Sequence, residues 1–183
     1  MKLQTKRLIL RGWQESDVEA LYKYAKNPNI GPIAGWQAHT SIENSLEIIK
    51  TVLSADKNYA VVLKETGEAV GSIGLMTAKS EINCAEMTET EGEIGYWIGE
   101  PFWGQGLIPE AVCELLRHAF EDLQLTAVWC GYYEGNEKSK RVQEKCGFVY
   151  HHTEYNKPTL LMNEFRTGHY TKLLYEDWKN ACH

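Results

Sequence analysis

The sequence predicts a single mixed α/β (α+β) domain over residues 1–183, and three observations carry that reading. Short apolar runs of strand character alternate with segments whose apolar residues recur at helical spacing. Glycine and proline turns punctuate the boundaries between them. The length of 183 residues lies in the range of one domain that buries a core without disulfide or metal staples.

The elements follow in order. Arg7-Leu8-Ile9-Leu10-Arg11 reads as a strand, and residues 15–27 place Val18, Leu21, Tyr22 and Ala25 on one face of a helix. Pro28, Gly31, Pro32 and Gly35 mark a loop over 28–35, after which Thr40 or Ser41 caps a helix carrying Ile42, Leu46, Ile49 and Leu53. Residues 58–63 and 69–76 form an antiparallel hairpin whose connection contains Gly67. The polar stretch 77–92 reads as an exposed connection. Residues 93–99 then alternate as a strand, with Glu93 and Trp97 on one face and Ile94, Tyr96 and Ile98 on the other. Gly95 and Gly99 in it point to a bulge or to the close approach of another group.

From Leu107 the apolar pairs 107/108, 111/112, 115/116 and 119/120 recur every four residues, a helix that leaves Glu110, Glu114, Arg117 and His118 outside. Residues 126–132 form a strand, and Asn136 caps a helix over 137–146 that closes at Gly147. Residues 148–155 resume a strand, 157–162 with Pro158 form a loop, and 167–175 make the last strand. There is no internal repeat, low-complexity tract or linker.

Composition excludes several classes. With 43% hydrophobic and 24% charged residues the chain is neither disordered nor membrane-spanning in type. A net charge of −6 argues against direct nucleic-acid binding, which needs a basic footprint, and favours a cationic substrate such as an amine. The N-terminal run lacks a secretory pattern, so a cytoplasmic location is expected. Five scattered cysteines (Cys84, Cys113, Cys130, Cys146, Cys182) show no metal-ligand spacing and read as reduced thiols. The histidines, including the pair His151-His152, have no sequence partner that identifies a base or a metal site. No metal is expected.

The stretch "EPFWGQGLIPEA" carries the most chemistry. Gly104 and Gly106 immediately precede the amphipathic helix, whose first turn exposes unpaired N–H groups and a partial positive charge. Glycines there let the backbone fold around an anion, and Pro109 gives up an N–H that has no intrahelical partner. Neither a Walker Gly-Lys-Ser/Thr nor a dinucleotide fingerprint is present. A plain turn into a helix and a phosphate cradle both fit these letters.

Glu93-Ile94-Gly95-Tyr96-Trp97-Ile98, running into Phe102-Trp103-Gly104-Gln105-Gly106 and Glu110-Ala111, with Asn136-x-x-Ser139 and Glu144-Lys145-Cys146-Gly147-Phe148 downstream, resembles the GCN5-related N-acetyltransferase superfamily. Within it the chain is most similar to the ribosomal-protein N-terminal acetyltransferase branch. The resemblance implies the acyl-CoA N-acyltransferase fold, a single mixed and mostly antiparallel central sheet flanked by helices. It further implies that the backbone of Gly104, Gln105, Gly106, Leu107 and Ile108 holds the pyrophosphate of acetyl-CoA, and that Trp97, Ile98 and Gly99 pair through their backbone with the pantetheine arm. Pro101 departs from the family's usual Gln or Arg at that place.

Acetyl transfer needs a neutral amine, a polarised carbonyl and a proton for the thiolate. By the same resemblance Glu93 is the candidate base, directly or through water. Gln143 stands where many members use a tyrosine as general acid, and the resemblance to the ribosomal-protein branch implies Ser139 as the candidate proton donor to the thiolate. Asn136 divides between helix cap and pantetheine ligand, and Lys140 and Arg141 are candidates for the CoA phosphates. Trp36, Trp103, Tyr132 and Tyr155 are candidates to line an acceptor groove, while Cys130 and Cys146 read as packing residues. The expected activity is transfer of acetyl from acetyl-CoA to a primary amine by a monomer or homodimer, the acceptor being a protein N-terminus. The alternatives are a small-molecule amine acceptor of antibiotic or polyamine type, or a non-catalytic CoA-binding module.

Overall fold

The computed structural model describes residues 2–77, 84 and 86–181. Its elements are β1 (Lys2–Gln4), β2 (Leu8–Arg11), α1 (Val18–Ala25), α2 (Gly31–Ala34), α3 (Ile42–Thr51), β3 (Asn58–Leu63), β4 (Ala69–Met76), β5 (Glu91–Ile98), α4 (Leu107–Arg117), β6 (Ala127–Tyr133), α5 (Glu137–Lys145), β7 (Val149–Thr159), β8 (Glu164–Leu174) and α6 (Tyr175–Ala181). The strands run in the order β1-β2-β3-β4-β5-β6-β8-β7 in one mostly antiparallel sheet, with β5 and β6 parallel. This is the predicted mixed α/β class. The chain divides into two compact units, residues 1–74 with 96–114, and residues 75–95 with 115–183.

In the first unit β1, β2, β3 and the start of β4 form an antiparallel ladder. Its apolar face carries Ala60, Val62 and Ala69, against which Ile9, Trp13 and Ala20 pack. Leu21 and Ala25 of α1 meet Ile49 of α3 and Leu53, enclosed by Trp13, Trp36 and Trp97. Trp97 stacks on Trp13 with centroids 6.5 Å apart and meets Trp36 edge-on at 5.7 Å. Ser41 caps α3 by accepting the Asn44 N–H. Asp17, in the 3-10 turn before α1, accepts both Arg11 guanidinium bonds at 2.7 and 2.8 Å. The expected loop 28–35 contains the short helix α2, which Gly35 ends in the left-handed region at φ 92°.

In the second unit β5 pairs with β6 from Glu91↔Ala127 to Ile94↔Cys130, β6 pairs antiparallel with β8, and β8 with β7. Cys84, Met87, Trp129 and Tyr170 form its buried cluster. That corrects the expectation for 77–92: of the described residues there, Cys84, Met87 and Glu91 are buried, while 78–83 and 85 lie outside the described residues. Glu91 tolerates burial because Trp129 Nε1 donates to it at 2.8 Å and Lys172 Nζ lies 2.7 Å away.

The loop expected at 157–162 is also corrected: β7 continues through Pro158 to Thr159, and β8 begins at Glu164. Proline is tolerated there because β7 is the edge strand, where a missing N–H breaks no outer ladder. His118 was expected outside but is 1% exposed, in a π turn after α4, with Nδ1 2.7 Å from Asp122 Oδ2. At 3.6 residues per turn it falls three residues after Leu115 and seven after Ala111, on the buried face.

Candidate functional site

In the first unit, β5 ends in a 3-10 turn at Glu100–Phe102 and passes through Trp103 to the glycine turn and α4. Gly104 and Gly106 both adopt the left-handed region, at φ 76° and 73°, which an L side chain reaches only with strain. A Cβ at Gly104 would meet nothing within 4 Å, so no protein packing demands glycine there. Among the described residues, the amides of Gly104, Gln105, Gly106, Leu107 and Ile108 donate to no backbone carbonyl of the turns and loops. Gly104 to Gly106 are exposed, Leu107 and Ile108 buried at the start of α4. Successive amides without a turn or loop acceptor, at the positive end of an 11-residue helix, suit an anion with several oxygens.

The loop is braced on its other side. Gln105 Nε2 donates to Pro101 O at 2.9 Å, so the proline that departs from the family pattern serves through its carbonyl. Arg7 Nη1 donates to Gln105 O at 3.0 Å, and its Nε donates to Glu110 Oε2 at 2.6 Å. Glu110 Oε1 also accepts the Arg7 N–H at 2.8 Å and the Thr5 hydroxyl. Burial alone would raise the Glu110 carboxyl, but these donors outweigh it and hold it below the usual carboxylate range. Sequence reasoning placed Glu110 on the solvent face of its helix and assigned Arg7 to a strand end.

Trp97, Ile98 and Gly99 close β5 and lead into the 3-10 turn. The Trp97 side chain belongs to the tryptophan cluster, leaving only its backbone for a ligand. Two other backbone groups have partners: Gly99 N–H donates to Val70 O at 2.8 Å, and Ile98 O accepts Trp103 Nε1 at 3.1 Å. The expected close approach at Gly99 is real, since a Cβ there would fall 2.6 Å from the Tyr24 ring. Gly95 shows none, its nearest neighbour being Met76 Cε at 3.8 Å.

In the second unit, Glu93 is 7% exposed. Its Oε2 accepts the Cys84 N–H at 2.6 Å, and its Oε1 lies 3.7 Å from where a Gly131 Cβ would stand. Tyr170 lies against the same point, and burial, then the Glu93 charge, raise its phenol. Burial pushes the Cys84 thiol up to about 11, so it is no thiolate nucleophile near neutral pH. The β5–β6 ladder stops at Ile94↔Cys130, although β5 runs to Ile98 and β6 to Tyr133.

Asn136 caps α5, its Oδ1 accepting the Ser139 N–H at 3.2 Å. Ser139 Oγ accepts from Gln143 Nε2 at 3.2 Å. Gln143, 1% exposed, also donates to Gly131 O at 3.2 Å and accepts the Thr171 hydroxyl at 2.8 Å. Gln143 is thus a buried hydrogen-bond hub that reaches Ser139. Lys140 is half-buried and Arg141 exposed on α5. Of the acceptor-groove candidates, Trp36 and Trp103 are held by Trp97 and by Ile98 O, Tyr132 leans on His169 with centroids 5.0 Å apart, and Tyr155 is 76% exposed. Cys130 and Cys146 are free thiols, and Cys130 is buried with Sγ 3.2 Å from Ile94 O.

Comparison with known proteins gives the family. The Acetyltransferase (GNAT) domain family matches residues 7–149. "Uncharacterized N-acetyltransferase YoaA" of Bacillus subtilis is 28% identical over 151 residues, 80% of this chain and 81% of that one. "Putative ribosomal N-acetyltransferase YdaF" of the same organism is 37% identical over 76 residues, 42% of each chain. Among solved structures, a GNAT-family acetyltransferase from Bacillus anthracis superposes with a TM-score of 0.80 at 23% identity, covering 96% of this chain and 99% of that one. AAC(6')-Ib, solved with ribostamycin and coenzyme A, gives 0.75 at 19% identity over 97% and 99%. The family match spans most of the chain, and the similar fold covers nearly all of it. The chain therefore belongs to the GNAT family and is an acetyltransferase.

Proposed function

We propose that this enzyme transfers acetyl from acetyl-CoA to a primary amine, and that the acceptor is a protein N-terminal α-amine such as that of a ribosomal protein. The observation that carries the donor is the turn at 104–106, whose two left-handed glycines and amides without a turn or loop acceptor suit a pyrophosphate. The presence of coenzyme A in the AAC(6')-Ib structure supports the same donor. The name of YdaF supports the acceptor. A cytoplasmic location belongs to the same proposal. Among the described residues no helix is long and apolar enough to cross a membrane.

In the proposed chemistry the amine nitrogen attacks the thioester carbonyl carbon and the C–S bond breaks. Glu93 takes the proton the amine loses, its Oε2 steadied by the Cys84 N–H. Ser139 gives a proton to the departing thiolate and regains one from solvent, with Gln143 fixing its Oγ. Gly104, Gln105, Gly106, Leu107 and Ile108 hold the pyrophosphate, the Trp97–Gly99 backbone meets the pantetheine, and Asn136, Lys140 and Arg141 serve the rest of the CoA. Ribostamycin in AAC(6')-Ib favours a second reading, a small polyamine acceptor.

The deciding assay measures free CoA thiol released with acetyl-CoA and two acceptor panels, peptides with ribosomal-protein N-termini and aminoglycosides or polyamines. Faster turnover of a peptide, with mass spectrometry placing the acetyl on its α-amine, is expected. Turnover of small amines alone would replace the first acceptor by the second. No thiol release with any acceptor in either panel would overturn both.

A further inference from the structure

His151 and His152 are adjacent in a strand, where neighbouring side chains ordinarily point to opposite faces. Here they share one. The β7–β8 register slips between Tyr150↔Thr171 and His152↔Tyr170, leaving His151 as the extra residue of a bulge. Both rings therefore lie edge-on against Trp129, with centroids 4.7 and 6.0 Å away.

Their Nδ1 atoms come within 2.9 Å of each other. Glu86 completes a triangle, its Oε2 3.6 Å from His151 Nδ1 and its Oε1 3.9 Å from His152 Nδ1. Ligands bound about 2.0–2.2 Å from a tetrahedral zinc stand roughly 3.3 Å apart, within the span of these separations. The surroundings of His152 suit a metal ligand as well: its Nε2 faces Glu154 Oε1 at 3.5 Å, and its ring stacks on Tyr170 with an interplanar angle of 14°. A carboxylate on the far nitrogen holds a ligating imidazole in the tautomer that frees the other nitrogen for the metal.

We infer that Glu86, His151 and His152 form a binding site for a first-row transition dication, zinc in the first instance, with water in the remaining position. Two imidazoles and one carboxylate suit zinc, cobalt, nickel or copper and not magnesium or calcium. The site is built from the second unit alone and does not depend on the reading of the acetyl acceptor. Its structural effect is to pin the backbone at residue 86 to the edge strand, two residues from the Cys84 N–H that holds Glu93.

Tag-free protein, stripped with chelator, would be titrated with zinc against a chromophoric competitor. One equivalent is expected to bind with a Kd below about 10 µM. His151→Ala and His152→Ala should each weaken binding at least about 30-fold and Glu86→Gln about 10-fold, while Cys113→Ser, at an exposed thiol, changes nothing. A Kd above that limit, or unchanged affinity in both histidine variants, overturns the site. If those variants fail to fold, the wild-type cobalt form decides. Two hyperfine-shifted imidazole N–H resonances support the assignment, and one or none overturns it.

Discussion

Gln143→Leu tests how the candidate proton donor is held. The change keeps the volume of a side chain that is 1% exposed and removes three hydrogen bonds, to Gly131 O, Ser139 Oγ and the Thr171 hydroxyl. Thr171 keeps Cys130 O at 3.1 Å, so its hydroxyl is not orphaned. At about 1 kcal/mol per bond the loss is about 3 kcal/mol, and the buried leucine returns about 1 kcal/mol as apolar surface. A net cost of about 2 kcal/mol lowers the melting temperature of a chain this size by about 4–8 °C. Catalysis should separate from donor binding: kcat falls about 10-fold while the Kd of acetyl-CoA stays within about 2-fold, because Ser139 loses its orienting donor and the cradle is untouched. Differential scanning calorimetry and steady-state kinetics read the two effects. A melting temperature within about 2 °C of wild type would refute the hydrogen-bond reasoning. The expected destabilisation with unchanged kcat would refute the catalytic half alone.

Three further outcomes are expected. Glu93→Gln should lower kcat by about 100-fold or more with little change in acetyl-CoA affinity by calorimetry; equal loss of both would argue for a structural carboxylate. Gly104→Ala and Gly106→Ala place a side chain at φ 76° and 73°, a strain of about 1–2 kcal/mol each, and should weaken acetyl-CoA binding about 10-fold or more before kcat suffers. Wild-type affinity in both would remove the cradle. Glu110 and Glu91 are held below the ordinary carboxylate value, so their contribution to stability is present above that value and is lost as pH falls through their lower folded values. Thermal melts from pH 7 to 3 should fall more steeply on the acid side for wild type than for Glu110→Gln. Superimposable slopes would deny Glu110 this part.

The helical period from Leu107 and the Asn136 cap were legible because each is a local pattern: side-chain spacing in one case, one side chain reaching the third amide in the other. The glycine turn was legible for the same reason. What escaped depends on distant partners. Glu110 looks solvated until Thr5 and Arg7 arrive, and Glu91 looks like a connector residue until Trp129 and Lys172 cover it. The His151 bulge leaves no mark on period-two spacing, since it arises from how β8 is paired. Pro158 misled because proline forbids a central strand and not an edge.

The brace from Arg7 to Glu110 and Gln105 has a consequence in time. Its partners are separated by about a hundred residues of chain, so the cradle is a contact of high order that no local segment can complete. During synthesis at about 5–20 residues per second, Arg7 waits several seconds before its acidic partner exists. The braced turn is thus completed late in synthesis. On the proposed reading of the cradle, donor that binds only the finished chain draws the folding equilibrium toward it, and the melting temperature rises with acetyl-CoA concentration.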